Sequence, residues 1–338
     1  MRRLATIRTI RDVRPIEGAD AIELVFIDGW QCVSKKNEFM IGNKCIYFEI
    51  DSFLPVWEEF EFLRKSSYKK MVDGTEGFRL KSIKLRGQIS QGLALPISKF
   101  PEVSCCNEGD DVTDVLSVKK YEPPIPACLS GQVKGMFPTF IPKTDQERIQ
   151  NFDKQVHQWE RLEFEVTEKL DGSSCTIYFD LGEFGVCSRT INLLESDDNS
   201  LWKIAKHYDL ETKMKQLKRS LGIQGEIIGE GIQGNKYKIR GQEFYVFDIY
   251  DIETKSYLGD EERREITKTL GLKDVPLITR QLLTGICNVE SILTLAVDKS
   301  VLNKDVEREG IVFKQTTKIP GRVSFKAISN KFLLKHGE

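Results

Sequence analysis

Along most of the chain, apolar and polar positions alternate with a period of two in short runs. Ala21 to Ile27, Trp30 to Lys35, Lys44 to Ile50 and Phe78 to Ile83 carry the pattern of half-buried strands, and Asp28-Gly29 between the first two is a hairpin signal. Ile7, Ile10 and Val13 predict a first strand ahead of them. Five or so such strands, separated by Gly, Asp and Asn turns over residues 1–115, predict an all-β, OB-like barrel. Residues 116–142 hold Pro123, Pro124, Pro126, Pro138 and Pro142 with little periodicity, which reads as a linker. Residues 143–338 mix both periods. Thr144 followed by Glu147 predicts a helix within Lys143 to Trp159, carrying Arg148 and Asn151, and Leu201 to Leu217 has helical spacing. Further helices are expected at Asp260 to Thr269 and Val289 to Ala296. Strands are expected at Leu162 to Thr167, Cys175 to Phe179, Phe184 to Ser188, Phe244 to Tyr250, Glu309 to Lys314 and Arg322 to Lys326. The fold class is therefore α+β.

With 338 residues there is room for two cores. The 50 basic and 51 acidic residues leave almost no net charge, so any nucleic-acid surface has to be a local patch. Arg79, Lys81, Lys84 and Arg86, leading into Gly87 to Gly92, form one. They read either as contacts to a nucleic-acid strand or as a solvated strand face. The eight cysteines, Cys32, Cys45, Cys105, Cys106, Cys128, Cys175, Cys187 and Cys287, include no Cys-x-x-Cys pair, and there are only three histidines. A structural zinc site is not indicated, and a reduced intracellular compartment is expected. No apolar run reaches the roughly 18 residues of a membrane span. The arginines of the opening Met1-Arg2-Arg3-Leu4 faintly resemble a transit peptide, but Ile7, Ile10 and Val13 fit a first strand better, so cytoplasm or nucleus is expected ahead of organelle import.

Candidate chemistry begins at Glu168-Lys169-Leu170-Asp171-Gly172, where an alternating strand meets a turn and leaves Lys169 at a strand end. A free lysine is neutral about once in a thousand at pH 7.4, so nucleophilic use demands burial, nearby positive charge or a metal. Glu226 sits in the glycine-studded run Gly225 to Gly234, where a ligand can approach the backbone closely. It reads as a partner for a ribose hydroxyl or hydrated metal, or as a strand-edge turn. Asp248 interrupts the apolar run Phe244 to Tyr250, and Glu309, Lys314 and Lys326 place charges in apolar strands, which is costly unless they are paired or used.

In order, Lys169-x-Asp171-Gly172, Ser188-Arg189, Gly225-Glu226, Phe244 to Asp248, Glu309 to Lys314 and Val323 to Lys326 resemble the covalent nucleotidyltransferases, namely ATP-dependent DNA and RNA ligases and capping enzymes. Ser188-Arg189 and Gly234-Asn235-Lys236-Tyr237 are similar to RNA ligases, and the OB-like first 115 residues resemble the RNA ligase group with an N-terminal OB domain. The resemblance implies an ATP-grasp-like nucleotidyltransferase domain over 143–338 and no C-terminal OB domain. It implies that Lys169 takes AMP from ATP, with Mg2+ or Mn2+, and passes it to an RNA 5′-phosphate before a 3′-hydroxyl closes the bond. Lys326 and Lys314 would balance phosphate charge, and Arg189 would meet a nucleotide or RNA phosphate. Glu226 and Glu309 would hold the metal, Phe247 would stack on adenine, and Glu168 would lie beside the adenosine with Asp171 and Gly172. Arg148 is assigned by the same resemblance to the triphosphate or its metal. The implied partner is RNA with 3′-hydroxyl and 5′-phosphate ends in a nicked duplex, and the implied state is a monomer. Where the family often has a second lysine two positions after Lys326, this chain has Ile328, with Lys331 as a substitute cation. Two other readings stand beside this one: a GTP-using capping guanylyltransferase, and a non-catalytic OB-containing RNA-binding protein.

Overall fold

The computed structural model describes residues 2–71, 73–125, 129, 131–316 and 321–337, so Pro126 and Cys128 of the expected linker lie outside the described residues. Two compact units emerge, Met1–Ile125 with Asn330–Glu338, and Pro126–Ser329. The division differs from the one drawn at residue 143, because the terminal helix Asn330–His336 packs on the hairpin Ile83–Leu85 and Gln88–Ser90 of the first unit and buries Phe332 and Leu333.

In the first unit, β1 (Ser52–Leu54), β2 (Tyr68–Lys70), β3 (Glu76–Arg79) and β4 (Lys119–Lys120) form a sheet in the order β4-β1-β3-β2. Two three-stranded sheets accompany it, one of Ala5–Thr9, Lys44–Phe48 and Leu93–Pro96, the other of Asp12–Pro15, Ile22–Ile27 and Trp30–Lys35. Asp28, at φ 49°, makes the hairpin expected between the last two. The expected barrel is not closed among the described residues; the strands are shared among separate sheets. Asp51, at φ 66°, breaks the run Lys44 to Ile50 from β1, and the run Phe78 to Ile83 splits between β3 and the Ile83–Leu85 hairpin. Consecutive segments therefore pair with different partners.

The second unit contains β5 (Glu163–Lys169), β6 (Ser173–Asp180), β7 (Leu221–Gly229), β8 (Gln242–Asp251), β9 (Leu277–Leu282), β10 (Gly310–Gln315) and β11 (Ser324–Ile328). Strands β9-β5-β10-β11 make an antiparallel sheet. Strands β6, β7 and β8 lie in an eight-stranded sheet with Val133–Met136, Ile191–Leu193, Glu183–Cys187 and Ser256–Tyr257, and Lys273–Asp274 pairs parallel to β8. Alternation in the smaller sheet decides what the site receives. Phe164, Val166, Ile311, Phe313, Phe325 and Ala327 turn to one face and pack with Val289, Ile292 and Ala296 of the helix Val289–Ala296. Thr167, Val312 and Lys326 are neighbours across the other face, as are Glu165, Lys314 and Ser324, while Lys169 lies opposite Gly310. A one-residue slip would put Phe313 and Phe325 among the buried charges of the other face and Lys314 into the apolar core. At roughly 2 kcal/mol per buried apolar side chain, that fixes the register.

Two predicted helices differ. Over Lys143 to Trp159 the chain is extended to Arg148 and then makes short turns at Ile149–Phe152 and Val156–Trp159. The reason is tertiary: the Lys326 N–H donates to the Glu147 carbonyl at 2.8 Å, the Ser324 hydroxyl to Gln146 Oε1 at 2.7 Å, and Arg148 bridges Lys326, so this segment is an edge to β11. Leu201 to Leu217 is two helices, Ser200–His207 and Leu210–Leu217, broken where Asp209 sits at φ 49°. The helices at Asp260–Thr269 (α1) and Val289–Ala296 stand where their spacing placed them. Val133–Met136, inside the expected linker, is a sheet edge. Among the described residues no helix is long and apolar enough to cross a membrane.

Candidate active site

Strand β5 ends at Lys169, and after the turn Leu170 to Gly172 the chain enters the other sheet as β6, so the lysine marks the crossing. The turn is gripped by the loop that follows β7. Leu170 is buried beside Ile228, Tyr237 and Tyr245. The Asp171 N–H donates to the Tyr237 hydroxyl at 2.8 Å, and the Asp171 carboxylate pairs with Lys236. The Gly172 N–H donates to Glu226 Oε1 at 3.1 Å, and a Cβ on Gly172 would stand 2.3 Å from the Ile227 carbonyl oxygen. No other residue fits there without moving β7.

Lys169 Nζ meets Glu309 Oε2 at 2.7 Å. Burial pushes the lysine pKa down, but Glu309 and Glu226 push it up further, so the side chain is an ammonium in the free protein. Burial, helped by Glu309 and Asp171, pushes the Glu226 carboxyl up to about 8 against the opposing pull of Lys169 and the Gly172 N–H. Burial, with Arg148 and Lys169 as like charges, lowers Lys326 to about 7. The crossing thus gathers Lys169, Glu226, Glu309, Lys326 and Arg148. Among the described residues no group of three or more His, Cys, Asp or Glu side chains makes a metal cluster. A divalent cation between Glu226 and Glu309 would take its remaining oxygens from substrate and water, as magnesium commonly does. The two carboxylates flanking Lys169 supply hard oxygen ligands, and that donor set fits such an ion.

Lys314 is 3% exposed and occupied otherwise than expected: Nζ pairs with Asp248 Oδ2 at 2.9 Å, donates to the Phe247 carbonyl and stands 5.2 Å from the Phe247 ring. Burial lowers its pKa to about 8. Arg322 holds the same Asp248 through two bonds of 3.0 and 2.9 Å. Nearby, Arg263 of α1 forks onto Glu165 at 2.8 and 2.9 Å and reaches Asp274 at 3.1 Å. Because Asp248 lies on β8 and Lys314 on β10, these pairs stitch the two sheets beneath Phe247. Phe247 is half-buried, packed against the cluster of Leu170 and Tyr245.

Glu168 is buried and accepts the Val301 N–H at 2.7 Å, anchoring the loop before β10, and burial raises its carboxyl. Arg189 is exposed and pairs with Asp145 at 2.7 Å, which ties it to the segment bearing Arg148. Ile328 is buried and Lys331 belongs to the terminal helix of the first unit. Arg79, Lys81, Lys84 and Arg86 also lie in the first unit. Arg79 stacks over Tyr121 at 4.6 Å, Lys81 is exposed, Lys84 is on the Ile83–Leu85 strand and Arg86 turns its hairpin at φ 48°.

Sequence reasoning missed Tyr237 and Lys236 as clamps of the turn, Asp145 as the partner of Arg189, and Arg263 and Arg322 as the cations under Phe247. Of these, Lys236 and Tyr237 left a signal in the run Gly234-Asn235-Lys236-Tyr237, and Arg322 left one as a charge beside an apolar strand.

Comparison with known proteins places these observations. An OB-fold domain model matches residues 4–97 and an RNA ligase model matches residues 162–328. Naegleria gruberi RNA ligase with pyrophosphate is 47% identical, covering 99% of each chain at a TM-score of 0.86. A point mutant of that ligase with ATP and manganese is 46% identical over 98% of this chain and 99% of its own, TM-score 0.86. Another, with AMP and manganese, is 46% identical over 99% of both chains, TM-score 0.87. A search of curated proteins returned no match.

Proposed function

The chain belongs to the RNA ligase family, and it is an ATP-dependent RNA ligase; we propose that Lys169 is the residue it adenylylates and a nicked RNA duplex the substrate it seals. One observation carries the assignment: Lys169 is held at the crossing of two sheets with Glu309 at 2.7 Å and Glu226 alongside, while Lys326 and Arg148 supply positive charge. In the first step Lys169 Nζ attacks the α-phosphorus of ATP. The N–P bond forms, the bond to the β-phosphate bridging oxygen breaks, and pyrophosphate leaves. Starting from the ammonium, Nζ must shed two protons: Glu309 Oε2 is placed to accept the one lost before attack, and the second, released as the phosphoramide forms, leaves with pyrophosphate or to water. Lys326 and Arg148 stabilise charge gathering on the phosphoryl oxygens, where buried cations act most strongly. Arg189 meets phosphate once released from Asp145.

Glu226 and Glu309 would hold Mg2+ or Mn2+, which supplies Lewis acidity and charge neutralisation at the phosphate. Phe247 offers its ring to adenine, set in place by Lys314 and Asp248, with Glu168, Asp171 and Gly172 shaping the nucleoside end. Lys314 therefore supports this reading through the base platform more directly than through the α-phosphate. In the second step the RNA 5′-phosphate displaces Lys169 from AMP, giving an adenylylated 5′ end. In the third, the 3′-hydroxyl attacks that phosphate and AMP leaves. In this reading the chain acts as a monomer in a reduced intracellular compartment, where cysteines stay as thiols.

The test is a sealing assay on nicked duplexes with RNA and DNA permuted on each side, run with ATP or GTP. Sealing of RNA 3′-hydroxyl nicks with ATP alone is expected. Failure on every RNA 3′-hydroxyl nick, or a GMP adduct without an AMP adduct, would contradict the assignment.

A further inference from the structure

Positive charge in the first unit is concentrated. Residues 64–86 carry eight basic side chains against two acidic ones, Asp73 and Glu76. Strands β2 and β3 lie in that stretch, and β4 adds Lys119 and Lys120 at the opposite edge of the same sheet. Register sorts these residues by face. Lys119, Phe53 and Arg79 are opposite one another across β4, β1 and β3, and Gly77 is opposite Lys69 across β3 and β2. Leu54, Phe78 and Tyr68 turn the other way into the core. The outward face therefore presents Lys119, Arg79 and Lys69, and Lys119 and Lys69 are exposed.

The aromatic rings on this face are closed to a ligand. Phe53 is 2% exposed and Tyr121 9%. Their centroids are 5.7 Å apart, the Arg79 guanidinium lies 4.6 Å over Tyr121, and the Phe53 ring lies over Gly77, where a Cβ would come within 2.7 Å of it. The nearby acids offset the strip only in part, with Asp51 and Asp73 set against Lys119, Arg79 and Lys69. Asp51 is 3.9 Å from Arg79 but also 3.6 Å from Arg2, Glu76 pairs with Lys70 on the other face, and Asp73 is held low chiefly by the Thr75 N–H, with Lys119 contributing.

We propose that this outward face is a rail for the sugar-phosphate backbone of the RNA duplex flanking the nick, and not the base-stacking groove by which OB-type domains hold single strands. Sequence-tolerant single-strand binding needs open ring faces, and the rings here are spent on each other, on Gly77 and on Arg79. Exposed cations instead span the sheet from β4 to β2, about 15 Å at the usual strand spacing, which covers several successive phosphates. Duplex RNA is read mainly through its shape, phosphates and 2′-hydroxyls, so such a rail suits it. The proposal rests on the RNA ligase reading and adds where and how the duplex is held.

The full chain is titrated with a labelled nicked RNA duplex and with a single strand of equal length across a salt series. For Lys69→Ala/Lys119→Ala, the duplex Kd should rise about tenfold at low salt and the slope of log K against log salt should shrink by about two. Single-strand affinity and lysine adenylylation by ATP should stay within about twofold. Lys69→Arg/Lys119→Arg should bind as the wild type does. If the double alanine variant loses adenylylation, the single variants carry the test, each with a slope change of about one. An unmoved duplex Kd and slope overturn the proposal, as does a loss confined to the single strand. Absence of sealing by the wild-type chain would instead sink the ligase reading itself.

Discussion

Lys169→Ala is expected to abolish the covalent AMP adduct, by at least about four orders of magnitude, while sealing of a preformed 5′-adenylylated RNA nick stays within about tenfold of wild type. The first effect follows because among the described residues no other amine stands at the crossing in the same relation to Glu309 and Glu226. Lys326 lies on β11, two strands from β5, with Val312 between its row and that of Thr167. The second follows because closing the phosphodiester bond expels AMP and needs no lysine nucleophile. The two assays together separate a lost nucleophile from a lost fold. Adduct formation persisting in the variant would remove Lys169 from the role given to it. Loss of both activities would be uninformative unless its melting were normal, and Lys169→Arg, which keeps the charge opposite Glu309, supplies that control.

Asp248→Ala is expected to have the largest effect on stability. Asp248 is 1% exposed and neutralises two buried cations, Lys314 and Arg322. Removing one partner from a buried ionic cluster costs about 3–5 kcal/mol, because the charges left behind remain desolvated. For a unit of this size that lowers Tm by roughly 10 °C, measurable by calorimetry. Nucleotide binding should weaken too, since Lys314 would lose the anchor that sets it against Phe247. The same cluster predicts an acid limit. Burial pushes the Asp248 and Glu165 carboxyls up, but Arg322 and Lys314 in the first case, and Arg263 and Arg264 in the second, outweigh it and hold each at about 2. A carboxyl whose folded pKa lies below its unfolded value of roughly 4 adds stability above pH 4 and loses it as pH falls toward 2. Stability of the wild-type chain should therefore drop steeply between about pH 4 and 2, and the drop should be shallower in Asp248→Asn. An unchanged acid limb in that variant would show that the cluster does not control it.

Much of the site was legible because its residues interrupt strong patterns. A lysine at a strand end before Asp-Gly, a glutamate among glycines and charges inside apolar strands are each costly unless used, and in this fold Lys169, Glu226, Glu309 and Lys326 converge. Less legible was what each charge meets. Asp248 and Arg322 are 74 residues apart and Arg263 and Glu165 are 98 apart, so neither pairing leaves a local trace. The segment before Ile149 shows the same limit from the other side. Thr144 and Glu147 fit a capping box, yet hydrogen bonds to Lys326 and Ser324 draw the chain out along β11, and that edge brings Arg148 to the lysines. How the strands of the OB domain pair was hidden for a related reason. Alternation marks strands but not partners, and a single left-handed residue such as Asp51 redirects the chain into another sheet.

The central claim is that Lys169 is the nucleophile at the crossing of the two sheets. It is tested most directly by incubating the full chain with ATP and a divalent metal, without RNA, and locating the AMP by peptide mass spectrometry under conditions that preserve phosphoramides. The account predicts a single acid-labile AMP on the peptide containing Lys169, discharged when pyrophosphate or RNA with a 5′-phosphate is added. AMP on Lys314, Lys326 or any other residue, or no adduct from a chain that still seals RNA nicks with ATP, would contradict it.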